Sequence, residues 1–134
     1  MAYLATVFFI ICIGTVCLVL ADDADESNIE FLGEYGWEVT GECVEREKVE
    51  IPDEFDDVYE NYNALQKLAG LDISNYKGQS AIRCTYIVTN FPNSDEKEIR
   101  ANVLSVKGRQ IAGDIMTVSL DGFMYSLNYL KIGK

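Results

Sequence analysis

The residues able to do chemistry are few. Asp114, in Ala-Gly-Asp, and Asp121, in Leu-Asp-Gly, are the only acids of the last third beyond the Asp95–Glu98 stretch. Two carboxylates in one cleft can divide the acid and base roles of a hydrolase. Their glycine neighbours more often mark turns, where an aspartate bonds its own backbone, and the turn is the preferred reading. Cys43 and Cys84 are the only cysteines beyond the apolar first 21 residues. As a disulfide they would close a loop of 40 intervening residues and stabilise the fold by ~3–4 kcal/mol. As buried thiols they would behave as small hydrophobes. Both readings stay open. With no histidine in the chain, neither cysteine has an imidazole to activate it, and no Cys-x-x-Cys is present. Ser80 and Ser119 have neither a base nor a nucleophile-elbow context. Gly108 and Gly113 stand alone, so no glycine loop cradles phosphate. Asp22, Asp23, Asp25 and Glu26 lack the alternate spacing and glycine of a calcium loop. No catalytic set, metal site or cofactor is expected.

Charge narrows the partners. The chain has 134 residues and a net charge of −11, carried wholly at or beyond Asp22. Such a surface disfavours nucleic acid, whose binding needs cations against phosphates, and anionic lipid headgroups. Residues 22–60 hold 16 acids and 2 bases, while residues 61–134 hold 6 acids and 9 bases. The acidic half is read mainly as solvated surface, and secondarily as a patch for a basic partner or divalent cations.

Residues 1–21, MAYLATVFFIICIGTVCLVLA, carry no charge. As a helix they would span ~31 Å, about one hydrocarbon core. Val19 and Ala21 suit signal-peptide cleavage before Asp22, but the run is long and lacks a basic n-region. A membrane anchor is slightly preferred over a signal peptide. Either places residues 22–134 outside the cytoplasm.

The elements that must position the polar residues follow from spacing. Residues 22–27 read as an acidic linker, followed by an α+β domain over 28–129 and a tail at 130–134. Ser27 and Glu30 have capping-box spacing, and Ile29, Phe31, Leu32 and Tyr35 make one apolar face, so a helix is expected at 28–35 and ended by Gly36. Residues 37–51 alternate in part and predict one or two strands with a bulge near Gly41, stopped by Pro52. Phe55, Val58, Tyr59, Tyr62, Leu65 and Ala69 follow helical spacing, which predicts a helix at 53–69 with Gly70 as its stop. Its tyrosines are read as core and rim rather than as a ligand platform. Residues 71–79 read as a loop, 81–90 as a strand and 91–98 as a connection. Strands at 99–106 and 109–118 are joined by Lys107 and Gly108 in a hairpin. Ile99, Ala101, Val103 and Ser105 share one face of the first; Arg100, Asn102, Leu104 and Val106 share the other. The tail, SLDGFMYSLNYL, reads as one helical turn closing the sheet or as a last strand, and a helix at about 119–127 is preferred. The sum is a two-layer α+β fold, with three or four antiparallel strands and helices on one face.

The segments FLGEYGWEV (31–39), IPDEFDDVYENYNALQKLAGLDISNYKG (51–78), TYIVTNFP (85–92) and GDIMTVSLDGFM (113–124) resemble a family of uncharacterised bacterial domains, domain of unknown function 4830. The similarity covers most of residues 29–127. It implies a small protein with an N-terminal apolar segment. It also implies that Trp37, Tyr62, Asn63, Gln66, Tyr76, Gly78, Asp114, Asp121 and Gly122 belong to the family motif, most of them as structural residues. The family carries no activity to transfer. The expectation is therefore a monomeric, non-enzymatic extracytoplasmic module that binds a protein or envelope component. The alternatives are a small-ligand or ion sensor and, behind it, a hydrolase using Asp114 and Asp121.

Overall fold

A computed structural model describes residues 24–92, 98–119 and 122–132. The first 21 residues, and with them the anchor and signal-peptide readings, lie outside it, as does Asp121. Among the described residues no helix is long and apolar enough to cross a membrane.

Five antiparallel strands form one sheet in the order of the chain: β1 (Glu45–Glu50), β2 (Ser80–Ile87), β3 (Ile99–Val106), β4 (Arg109–Thr117) and β5 (Met124–Tyr125). The β3–β4 hairpin turns on Lys107 and Gly108, with φ of 51° and 80°. Two left-handed residues in a row match the twist of the flanking strands, so the predicted two-residue turn forms. β1 is a free edge of sequence EREKVE, mostly exposed. Its charges guard that edge against pairing with another chain.

The sheet is apolar on both faces, because β3 alternates and still keeps apolar residues at both parities. Ile99, Ala101 and Val103 enter one buried cluster; Leu104 and Val106 enter another. The first cluster takes Leu32, with Ile29 and Phe31, from helix α1, which occupies residues 24–34, and Tyr35 just after it. The second is met by Tyr59 and Tyr62 of helix α2 (Asp57–Leu68). Helices therefore lie on both faces of a five-stranded sheet, not on one face of three or four strands. A strand that must bury both sides needs a cover on each.

Several boundaries move for local reasons. α1 includes residues 24–27, so Ser27 is not its cap and part of the acidic linker is helical. Gly36 at φ 92° ends it as expected. α2 starts at Asp57 because Asp56 is extended and its side chain accepts from Tyr59 N at 2.9 Å. Asp56 caps the helix, and Asp53 and Glu54 precede it. Residues 37–51 hold β1 and one bridge, Val39 to Val88, with Gly41 in the irregular stretch between. The loop after α2 contains a 3-10 turn, Ile73–Tyr76.

Among the described residues the preferred helix at 119–127 does not form, and the alternative, a last strand, does. Met124 and Tyr125 pair with β4 as β5, and a short helix α3 follows at Tyr129–Ile132. Phe123 and Tyr125 are two apart, so a strand puts both rings on one side, where they stack at 4.2 Å. Tyr125 stacks on Tyr129, Tyr129 on Phe91, and Phe91 on Trp37. A helix would have split this ladder.

Candidate functional site

Asp114 sits in the middle of β4, 2% exposed. It is not a turn residue. The β3–β4 register sets it beside Asn102, and the β2–β3 register sets Asn102 beside Thr85. Three polar side chains thus lie in a row across the face that α2 partly covers. They are linked in one direction. Thr85 Oγ1 donates to Asn102 Oδ1 at 2.6 Å, and Asn102 Nδ2 donates to Asp114 Oδ2 at 3.0 Å. From above, Tyr62 of α2 donates its hydroxyl to Asp114 Oδ1 at 2.8 Å.

A groove of about 480 Å³ opens over this row. One wall is α2, with Val58, Tyr59, Asn61, Tyr62 and Leu65. The floor is Asn102, Asp114 and Leu104, with Arg83 and Val49 to one side and Met116 and Met124 to the other. The volume falls within the ~300–1,000 Å³ usual for small-molecule sites, and a mostly apolar lining with a few fixed polar groups is their usual composition. Val58 is 71% exposed and Met124 44%, so the groove is open at these two residues.

The electrostatics centre on Asp114. Burial pushes its carboxyl above the usual range, against the pull of the Asn102 and Tyr62 donors and the charge of Arg83. Burial also raises the Tyr62 phenol well above its ordinary value, and the Asp114 charge adds to it. The Arg83 guanidinium does not bond to Asp114. Its Nη2 donates to Glu47 Oε2 at 3.0 Å, on the neighbouring strand.

Two buried amides hold α2 at its station. Gln66 Oε1 accepts from Gly113 N at 2.9 Å, tying the helix to the stretch of β4 that β5 does not reach. Its Nε2 has no partner among the described residues. Asn63 Oδ1 accepts from Ile73 N at 2.8 Å, and Asn63 Nδ2 donates to Asp72 Oδ1 at 2.9 Å. Asp72 also accepts from Ser74 N and Oγ. These bonds, from Ser74 first and then Asn63, hold its carboxyl down at about 2.

The cysteines lie on the opposite side. Both are free thiols in this structure, Cys84 buried and Cys43 partly so. Arg46 Nη2 lies 3.5 Å from Cys43 Sγ and donates to Asp25 Oδ1 at 3.1 Å. Asp25 also accepts from Tyr86 at 2.6 Å. This network fastens α1 to β2. A second hollow beside it is lined by Asp25, Glu26, Ile29, Gly41 and Glu42, and it has no buried polar floor. Among the described residues no group of His, Cys, Asp and Glu is placed to hold a metal ion.

Sequence reasoning reached Asp114 and placed Tyr62 on the inner face of α2, but it did not join them. It missed Thr85, Asn102 and Arg83 as site residues. One signal was present: Asn102 is a polar residue sharing a strand face with Leu104 and Val106.

The fold and the groove define a class: an α+β sheet domain with one sealed face and one face left partly open over a polar row. Residues 31–115 match the family model described as a domain of unknown function, DUF4830, and the chain belongs to that family. Of the residues that the resemblance had singled out, Tyr62 and Asp114 meet in the groove, and Gln66 and Asn63 anchor its wall. No curated protein and no solved structure matches the chain.

Proposed function

We propose that this domain is a non-enzymatic binding module, exposed outside the cytoplasm, that holds a small amphipathic molecule in the groove between α2 and the sheet. One observation carries the reading: a lone buried carboxylate, fully oriented by neutral donors, lies at the base of an apolar groove of small-molecule size. The neighbouring groups are those of recognition. Among the described residues the titratable groups lining the groove besides Asp114 are Tyr59, Tyr62 and Arg83. None is a nucleophile paired with a base, and Tyr62 is committed as a donor to Asp114. The extracytoplasmic placement rests on the uncharged residues 1–21.

The test is thermal unfolding of the full-length protein in mild detergent against a panel of amphipathic small molecules. A ligand at about a hundred times its Kd adds ~2.7 kcal/mol to the folded state and should raise Tm by several degrees or more. Val58→Trp, which fills the mouth of the groove from an exposed position, should remove the shift and leave the fold intact. A flat response across the panel counts against the reading.

A further inference from the structure

The groups at the floor of the α2 groove constrain the head of a ligand held there. We infer that the occupant carries a protonated amine, seated on the Asp114 carboxylate, with an apolar body along the α2 wall. The inference rests on the groove being a binding site.

Thr85 donates to Asn102, Asn102 donates to Asp114, and Tyr62 donates to Asp114. Every hydrogen in the chain points toward the carboxyl. This is the arrangement that supports a carboxylate rather than a carboxylic acid, whose own proton would need an acceptor. Yet a carboxylate buried with only neutral donors lacks the opposite charge that offsets its lost hydration. Among the described residues Asp114 makes no ion pair. The cation that lines the groove, Arg83, is paired with Glu47 instead.

A carboxylate offers about four acceptor sites over its two oxygens. In the structure each oxygen accepts one side-chain hydrogen bond, from Tyr62 on one and from Asn102 on the other. An ammonium group has three donors and can use what remains.

The walls suit the body of such a molecule. Tyr59 and Tyr62 line the groove beside the floor, and Met116 and Met124 lie on the far side. Thioethers are polarisable and adapt to an apolar body. An anionic head would meet the Asp114 charge at the floor and would have to take Arg83 from Glu47.

Three probes with one body and three heads test this: 2-phenylethylamine, 2-phenylethanol and phenylacetate, titrated into the full-length protein at pH 7 by calorimetry. The amine should bind at least about tenfold tighter than the alcohol, the discrimination expected of a charge-assisted hydrogen bond, with phenylacetate weakest. Asp114→Asn should bring the amine to the level of the alcohol. If that variant does not fold, the amine-to-alcohol ratio on the unaltered protein decides, since only the head differs. Equal binding of amine and alcohol, blocked by Val58→Trp, overturns the inference about the head and leaves the groove as a site. Tightest binding of phenylacetate overturns it in favour of Arg83 as the anchor. Binding of none of the three overturns the groove reading and the inference with it.

Discussion

The two faces of the sheet are built from the same strands and are finished differently. On the α1 face, Leu32, Trp37, Tyr86, Val103, Ile115 and Leu127 are each at most 2% exposed. Trp37 Nε1 donates to Leu127 O at 2.7 Å, so even the indole's polar atom is used to close the core. On the α2 face, the helix leans on the β4 edge and leaves the middle of the sheet beneath a groove. There the register brings Thr85, Asn102 and Asp114 into a row. The α2 face is not given over to recognition alone: Ile73, Ala81, Leu104, Val106 and Ala112 form a buried cluster on it, and only the stretch over the polar row stays open. Substitutions on the α1 face should therefore act on folding, and those in the polar row on charge and binding as well as on stability.

The largest effect belongs to the sealed face. Trp37→Ala removes a buried indole, its stack on Phe91 and its bond to Leu127. It should cost about 3–5 kcal/mol, read as the midpoint of urea unfolding followed by circular dichroism. If stability falls by less than about 1 kcal/mol, the α1 face is not the structural half.

Gly113→Ala tests the seam between the faces. A Cβ there would sit 2.6 Å from the Asn102 carbonyl oxygen and 2.8 Å from Leu127 Cδ1. The backbone contact cannot be relieved by a rotamer change, so the strand must shift, at a cost of about 1–3 kcal/mol. Because Asn102 is also the donor to Asp114, binding in the groove should weaken along with stability. A loss of stability with binding intact would show that the faces are insulated from each other even at this contact.

The two oriented carboxylates should give opposite pH slopes. The folded-state pKa of Asp114 is raised, so the unfolded chain releases that proton first. Its contribution is fully present below the unfolded value near 3.8 and is lost as pH rises through the higher folded value. Asp72 is held down at about 2, so its contribution is present above the unfolded value and is lost as pH falls from about 4 towards 2. Tyr62→Phe removes one donor from Asp114 and should cost about 1–2 kcal/mol. It should also move the Asp114 transition to higher pH and leave the Asp72 transition in place. Chemical denaturation at a series of pH values from 2.5 to 7 reads both.

These contrasts divide between what the residue order displays and what it conceals. The stop at Gly70, the turn at Lys107 and Gly108, and the alternation along 99–106 are local, and each was legible because backbone sterics and side-chain period act over a few residues. The second layer of helix was concealed, although Val103 followed by Leu104 is the mark of a strand buried on both sides. The segment from Phe123 to Tyr125 fits a helical turn or a last strand equally well by its residues, and only the pairing with Ile115 and Met116 settles its form. Asp114 looked like a turn residue because glycine precedes it. In fact Gly113 is small to admit Leu127, and the aspartate faces the other way. The site joins residues 17 and 12 apart in the chain: Thr85 meets Asn102 across a longer connection, and Asp114 meets Asn102 only because a bulge between Leu104 and Ser105 shifts the hairpin register.

The smallest effect sharpens the comparison at its outer margin. Glu47 and Arg83 form a partly exposed pair at 3.0 Å on the open face, where such pairs are worth ~0–1 kcal/mol. Glu47→Gln should therefore leave the unfolding midpoint nearly unchanged. Its consequence lies in the groove. Releasing Arg83 from its partner allows the guanidinium to turn toward Asp114, whose carboxylate is the next acceptor of opposite charge among the groups lining the groove. An internal cation on Asp114 would compete with an added amine, so the affinity for 2-phenylethylamine should fall while that for 2-phenylethanol stays the same. Stability unmoved and amine affinity reduced would mark Glu47 as the residue that keeps the carboxylate available. Unchanged amine affinity would mean that Arg83 is held off Asp114 by the packing of the sheet face, and that the exposed pair contributes only to the guarded edge.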